Sequence, residues 1–344
     1  MTLTRRQFIG GVAAGVAVGA VLSPLVQHAL PRERDERWGR DAYAKAPRSR
    51  VAILRADAYD DRLDEVLRRG IGLFGLDVRG RRVVLKPNLV EYDPAGVINT
   101  HPLLVAAAAR VFRSLGAREV IVAEGPGHRR DNEYLLDASG LGRALEDAGV
   151  PYVDINMDAV RRVETRSRFT GLAELWLPDT IVGADLVVSM PKLKTHHWAG
   201  VTLSMKNLFG IIPGNHYGWP KNILHFKGIP NSIVDINATL PVPRFNIVDG
   251  IVGMEGNGPI QGTAIASGCV VFGADPVAVD ATCARLMTIE PERVRYLTHA
   301  AEALGNLAAE RIDQVGEPLD TFRKDFRVMP NFQKLKPRSL ARGV

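Results

Sequence analysis

Lys192, Lys194, His196, His197, Lys206 and Asn207 crowd into one short run of this chain, VVSMPKLKTHHWAGVTLSMKNLFGIIPG at positions 187–214. Imidazole titrates near neutrality, so it can take and return a proton at working pH, or ligate a metal as the neutral ring. A lysine half buried beside other cations has its ammonium form destabilised and becomes a better nucleophile. The cluster therefore has the means to gather an anion, hold a metal or move a proton. A solvated basic loop is the plain alternative, but the interleaved Gly200, Gly210 and Gly214 and the apolar residues between them favour a site.

Two other segments carry related chemistry. Arg82–Pro87 reads as a strand that delivers Lys86 and Asn88 to its end, with Pro87 holding Lys86 extended. Asn99-Thr100-His101-Pro102 opens an alanine-rich helix running to about Leu115. Thr100 is the expected amino-terminal cap, and the helix start offers free amide hydrogens to an anion. His128 follows the strand Glu119–Ala123 on a glycine-bearing loop. Lys86, Asn88, Thr100, His101, Lys192, Lys194 and Asn207 are thus candidate ligand-binding residues. His128, His196 and Lys206 are candidate acid–base residues expected to share one pocket with them.

These groups need a frame. Val51–Arg55, Arg82–Pro87, Glu119–Ala123, Tyr152–Ile155, Val187–Met190, Phe245–Val248 and Cys269–Phe272 read as strands, largely alternating with helical patterns such as Asp61–Leu73, Tyr134–Ala148, Ile229–Leu240 and Pro291–Leu304. That order implies an α/β fold: a doubly wound, mainly parallel, Rossmann-like sheet with glycine-rich loops at the strand carboxyl ends, where ligands bind in such sheets. Pro191 ends the Val187–Met190 ladder, because proline has no amide hydrogen to donate, and leaves the basic cluster beyond it. Arg161–Leu177 reads as a peripheral hairpin with Trp176 against the core. Asn215–Pro220 reads as a covering loop, and Ile251–Gly262 as a loop whose backbone can approach a ligand. Asp275 caps a helix through Met287, on which Asp280 is either a ligand residue or, more simply, part of a polar face. The glycines match neither the dinucleotide fingerprint nor the P-loop.

Length and composition set bounds. The chain has 344 residues, 46% hydrophobic and 24% charged, with a net charge of +6. Six of the 34 arginines lie in 32–50, the net charge is modest, and no basic nucleic-acid motif occurs, so nucleic acid is not an expected partner. With only Cys269 and Cys283 no iron–sulfur cluster is expected. Two buried free thiols are the expectation, a disulfide the alternative in an oxidising compartment. Thr4-Arg5-Arg6-Gln7-Phe8-Ile9 resembles a twin-arginine export signal, followed by a weakly apolar Gly/Ala/Val run to Val26. The expected organisation is a signal or anchor at 1–30, a charged linker at 31–49, an α/β domain at 50–310 and a peripheral tail at 311–344. The signal implies passage through the twin-arginine export machinery to the periplasm or cell envelope, with membrane attachment if it is retained.

Lys86-Pro87-Asn88, Thr100-His101-Pro102, Pro191–His196, Met205–Gly210 and Asp275–Asp280 together resemble the domain-of-unknown-function 362 family over roughly 50–304. Many members carry a ferredoxin-like segment, for which this chain lacks the cysteines. His196-x-x-Ala199-Gly200 with Lys206, and Gly127-His128-Arg129, are more distantly similar to the amino-terminal domain of nickel-pincer lactate racemases. That resemblance implies Lys206 as the lysine holding a nickel-pincer nucleotide, His128 and His196 as proton-exchanging residues, and His216 or His225 as a nickel ligand; His197 is a further candidate metal ligand. Ser204-Met205 stand where that family has a glycine pair.

Three functions are consistent with these observations. One is an exported enzyme acting on a small carboxylate-type anion with a metal-containing cofactor, as a racemase, epimerase or oxidoreductase. The second is a non-catalytic envelope protein binding a metal or anion. The third is a hydrolase using a divalent metal held by the histidines with Asp249 or Glu255.

Overall fold

The computed structural model describes residues 36–39, 45–127, 131–219 and 221–337. The twin-arginine-like segment and His128 lie outside them. Everything below concerns the compact unit that starts at Arg37. Its strands, in chain order, are β1 (Ser49–Arg55), β2 (Arg82–Pro87), β3 (Glu119–Glu124), β4 (Tyr152–Asp154), β5 (Val160–Glu164), β6 (Glu174–Pro178), β7 (Leu186–Met190), β8 (Lys192–His196), β9 (Gly200–Thr202), β10 (Arg244–Asn257), β11 (Gln261–Gly273) and β12 (Ile312–Gly316). The main sheet runs β12-β1-β11-β10-β7-β2-β3-β4, with β8 joined to β10 and β9 to β8. β11 is antiparallel to both its neighbours, and β9 to β8; the other ladders of this sheet are parallel. The fold is therefore α/β, with a mostly parallel sheet, as the alternating pattern implies.

The sheet is covered on both sides, and the pleat sorts its side chains between two cores. Val51, Ile53, Val84, Val187 and Val271 point into one, while Ala52, Leu54, Leu85, Val188 and Phe272 point into the other. Helices Leu63–Gly72 and Pro102–Ser114 cover the second core; Ile229–Thr239 and Pro276–Leu286 cover the first. Burial on both faces explains why β7, with the sequence LVVSM, reads as a continuous apolar run rather than an alternating one. Asp275 caps its helix as expected, accepting from the Val277 and Ala278 amides. β5 and β6 form the expected separate hairpin, with Trp176 packed on the first core. Cys269 and Cys283 are buried free thiols.

Several expectations give way. Lys192–His196, read as lying in the loop beyond Pro191, is a fully buried strand: Pro191 breaks the β7 ladder, but the chain rejoins β10 farther along. Ile251–Gly262, read as a loop, is mostly the β10–β11 hairpin, with Gly256 opposite Gly262 and Asn257 opposite Gln261. Its glycines serve packing. A Cβ at Gly253 would sit 2.8 Å from the Leu193 carbonyl oxygen and 3.0 Å from the Phe326 ring. The helix expected over Pro291–Leu304 is broken into a 3-10 turn, Pro291–Arg293, and a short helix, Arg295–Ala300. In the linker, Trp38 is buried edge-on to Phe169 at 5.1 Å.

The tail is not peripheral. β12 pairs with β1, and Phe322, Phe326, Val328 and Leu335 are buried in the first core. Phe326→Ala is therefore expected to destabilise the domain by about 3–5 kcal/mol, as for other large core truncations. Urea unfolding measures it, and a shift within error of zero would return the tail to the surface.

Candidate functional site

β2, β3, β8, β9 and the turn through Ser204–Ile211 enclose a cavity of about 260 Å³. Lys86, Asn88, Glu124, Lys194, His196, Lys206, Asn207 and Lys221 line it with His197 and His225, and Trp198 and Phe209 supply apolar wall.

Each lysine is held differently. Lys86 Nζ donates to Glu124 Oε2 at 2.7 Å, to the Asn207 carbonyl at 2.7 Å and to Asn207 Oδ1 at 3.1 Å, so all three of its protons are used. Burial pushes its pKa down while the Glu124 charge opposes that shift. Lys194 donates to the carbonyls of Ile98 at 2.8 Å and Pro259 at 3.3 Å, which leaves one proton over. Burial, with the charges of Lys206, Lys192 and Lys86, holds its pKa well below the usual range. Lys221 donates to the carbonyls of Gly125 at 2.6 Å, Gly210 at 3.2 Å and Phe209 at 3.5 Å, and burial brings it down to about 7. Lys206 lies 5.6 Å from the centre of the Phe209 ring; burial and the Lys86 charge bring it down to about 8.

The lysine-bearing turn is tied from behind. Asp280 accepts from the Ser204 amide at 2.7 Å, the Met205 amide at 3.1 Å and the Tyr296 hydroxyl at 3.3 Å. It is fully buried, not part of a polar helix face, and burial raises its carboxyl to about 7 against the pull of those donors. Gly210 is required here, since a Cβ would collide with Lys86 Nζ and Glu124 Oε1.

His196 is a neutral donor. Its Nδ1 accepts from the Trp198 amide at 2.9 Å and the Ala199 amide at 3.1 Å, which places the ring proton on Nε2. Burial and the charge of Lys206 hold its pKa well below the usual value. Protonating Nδ1 would set that proton against two amide hydrogens. His196 thus offers an Nε2–H to a ligand and does not fit a role in which it takes up a proton. His197 packs 4.8 Å from the His196 ring, and His225 lies 5.0 Å from Phe209 with its Nδ1 near the Lys221 carbonyl.

The expected single pocket is in fact two. Thr100, His101 and Lys192 line a separate cavity of about 240 Å³ with Tyr59. Lys192 Nζ lies 2.8 Å from Asp249 Oδ2 and 3.0 Å from the Tyr59 hydroxyl, which donates to Asp249 Oδ1 at 2.8 Å. His101 stacks on Tyr59 at 3.7 Å, and burial lowers its pKa to about 4. The helix cap is His101 and not Thr100: His101 Nδ1 accepts from the Leu103 amide, whereas Thr100 donates its hydroxyl to the Met190 carbonyl. His216 is exposed beside Trp176 and Tyr217, away from the lining of the first cavity. In the covering loop, Tyr217 is buried and accepts from the Trp176 amide, and the Trp219 ring packs against Gly214.

Lys221 and Glu124 were not singled out from sequence as site residues. Glu124 was visible at a strand end before a glycine, but Lys221 gives no local signal beyond its place after Pro220.

Among the described residues no three His, Cys, Asp or Glu side chains converge to hold a metal. Asp249 is engaged by Lys192, and Glu255 pairs with Arg327 at 2.7 Å. The described residues do not fit the nickel-centred scheme implied by the racemase resemblance, because His196 is fixed as a donor.

A helix-flanked α/β sheet carrying a buried, lysine-rich cavity at its strand ends is the class that fold and site define. The chain belongs to the family described as Domain of unknown function (DUF362), which matches residues 83–285. It is 28% identical over 268 residues to a thylakoid-associated protein of Synechocystis sp., covering 74% of this chain and 79% of that one. Among solved structures it is similar to the lactate racemase apoprotein of Thermoanaerobacterium thermosaccharolyticum, with 16% identity, a TM-score of 0.39, and coverage of 75% of this chain and 58% of that one. A Thermotoga maritima protein gives 14% identity, a TM-score of 0.38, and coverage of 65% and 57% respectively. The chain spans a little over half the length of these two structures.

Removing one partner of the buried Lys86–Glu124 pair strands the other. Glu124→Ala is expected to cost about 3–5 kcal/mol in urea unfolding, with much of it recovered in the double variant Lys86→Met, Glu124→Leu. Equal losses in both would show that the pair is not the source.

Proposed function

We propose that this chain is an exported enzyme that binds a small organic anion of the carboxylate type in the Lys86–Lys221 cavity. The observation that carries this reading is charge: among the described lining residues, Lys86, Lys194, Lys206 and Lys221 face one carboxylate, Glu124. Glu124 is already saturated by Lys86 and by the Gly125 and Leu89 amides. A ligand carboxylate supplies the missing negative charge and accepts from Lys194 and from His196 Nε2–H. The apolar surface of Trp198 and Phe209 suits the carbon part of such a ligand. A metal centre finds less support, since the lysine nitrogens that dominate the lining bear protons.

The sign of the pH dependence follows. Lys221 and Lys206 titrate at about 7 and about 8, so they are cationic at lower pH and neutral above. An anion binds the cationic form better, and affinity should fall as pH rises from 6 to 9. Calorimetric titration with acetate and pyruvate measures this; affinity that is flat or rises with pH contradicts it. Lys194→Met should weaken binding about 10- to 100-fold at pH 6.5, the worth of a charge-assisted hydrogen bond of roughly 1.5–3 kcal/mol.

Export is supported by the Arg5-Arg6 motif and by the thylakoid association named for the Synechocystis relative. Among the described residues no helix is long and apolar enough to cross a membrane. Replacing Arg5 and Arg6 by Lys should leave the protein in the cytoplasmic fraction of an expressing bacterium. Unchanged fractionation would remove the twin-arginine route.

A further inference from the structure

We infer that Lys206 is an amine nucleophile that condenses with the carbonyl carbon of a 2-oxo acid bound in the cavity, forming an iminium. This deepens the anion-binding reading and rests on it. The geometry sets Lys206 apart. Lys86 and Lys221 spend every ammonium proton on protein acceptors, and Lys194 spends two. Lys206 makes a cation–π contact with Phe209 and has no hydrogen-bond acceptor among the described residues. Its nitrogen is therefore the one lining amine, among those described, that is not committed to holding the fold. A buried amine beside another cation and without a hydrogen-bond acceptor gives up its proton more readily than a free lysine and keeps its lone pair for attack.

Two further atoms suit the intermediate. Asn88 Oδ1 and Thr202 Oγ1 are buried in the cavity lining without a hydrogen-bond partner, in residues that are 8% and 2% exposed. Orphaned oxygens in a native interior call for a donor or for water. A carbinolamine hydroxyl, and the water that leaves it, provide one. The ligand's carboxylate is placed by Lys194 and His196, and its carbonyl carbon is left to Lys206.

The step balances without an oxidant or reductant. The neutral amine's lone pair forms the C–N bond as the carbonyl π bond breaks, and the nitrogen's excess proton passes to the oxygen. A second proton, from the medium, lets that oxygen leave as water. The C–O bond breaks and the nitrogen lone pair closes the iminium. The sum is amine, ketone and one proton giving iminium and water.

The test treats the full chain with pyruvate and sodium cyanoborohydride at pH 7.5 and maps lysine adducts by peptide mass spectrometry, with calorimetric binding of pyruvate and acetate in parallel. The expected result is one reduced pyruvate adduct on the Lys206 peptide in at least tenfold excess over any other lysine. Lys206→Arg should lose the adduct, and excess acetate should suppress trapping on the unaltered chain. Pyruvate binding with no adduct, or adducts spread evenly over surface lysines, overturns the amine while leaving the anion site standing. Failure of both pyruvate and acetate to bind overturns the site reading as well.

Discussion

The Lys86–Glu124 ion pair is the constraint around which this site is built. It is almost wholly buried, at 2.7 Å, and it spans the ends of two adjacent parallel strands. Two desolvated charges are stable only when the remaining hydrogen-bonding capacity is met. Here Asn207 meets it twice over, through its carbonyl and Oδ1, and its Nδ2 returns a bond to the Lys86 carbonyl. The pair thus fixes where the turn carrying Lys206 must lie. That turn then brings Gly210 against both charged groups, close enough that no other residue fits.

From this one fixture the placement of the rest follows. Asp280 anchors the same turn from the helix Pro276–Leu286 in the first core, so the turn is held both by a sheet-end ion pair and by a buried carboxylate. Lys221 bonds to Gly210 and Gly125 and so closes the cavity against the strand that supplies Glu124. What the fold leaves over, after those bonds are counted, is a small set of uncommitted groups: one proton of Lys194, the His196 Nε2–H, two orphaned oxygens and the Lys206 amine. A rigid shell of satisfied polar groups around a few unsatisfied ones is how a protein interior holds reactive groups in place, since the satisfied bonds carry the cost of ordering.

The sheet was largely legible in the chain because its strands are apolar runs bounded by prolines and glycines, and pattern alone reveals such runs. The basic cluster was legible as a site for a related reason: lysines threaded among buried residues are costly unless used. What spacing did not reveal was partnership. Lys86 meets Glu124 across 38 positions and Asn207 across 121. Lys192 and Lys194, two apart on one strand, serve different cavities, because β8 changes register along β10 between its contacts with Asp249 and Met254. Glycines misled for a physical reason too: at Gly253 and Gly262 they admit neighbouring side chains and backbone in a hairpin, and local sequence gives no way to tell that from a ligand loop.

The two cavities also show why a lysine's partner matters more than its burial. Lys192 and Lys206 are both drawn from the same sequence cluster, yet Lys192 sits between a carboxylate and a phenol that hold its proton in place. An amine in that position is structural, because attack would require it to give up an ion pair in a low-dielectric interior. Lys206 has no such pair to lose, and burial together with a neighbouring cation lowers its pKa to about 8. Chemistry at a lysine depends on which protonation state the surroundings favour. Burial lowers Lys194, Lys206 and Lys221 alike, but among the described residues only Lys206, which the buried ion pair positions and does not itself engage, has no protein acceptor to hold its proton.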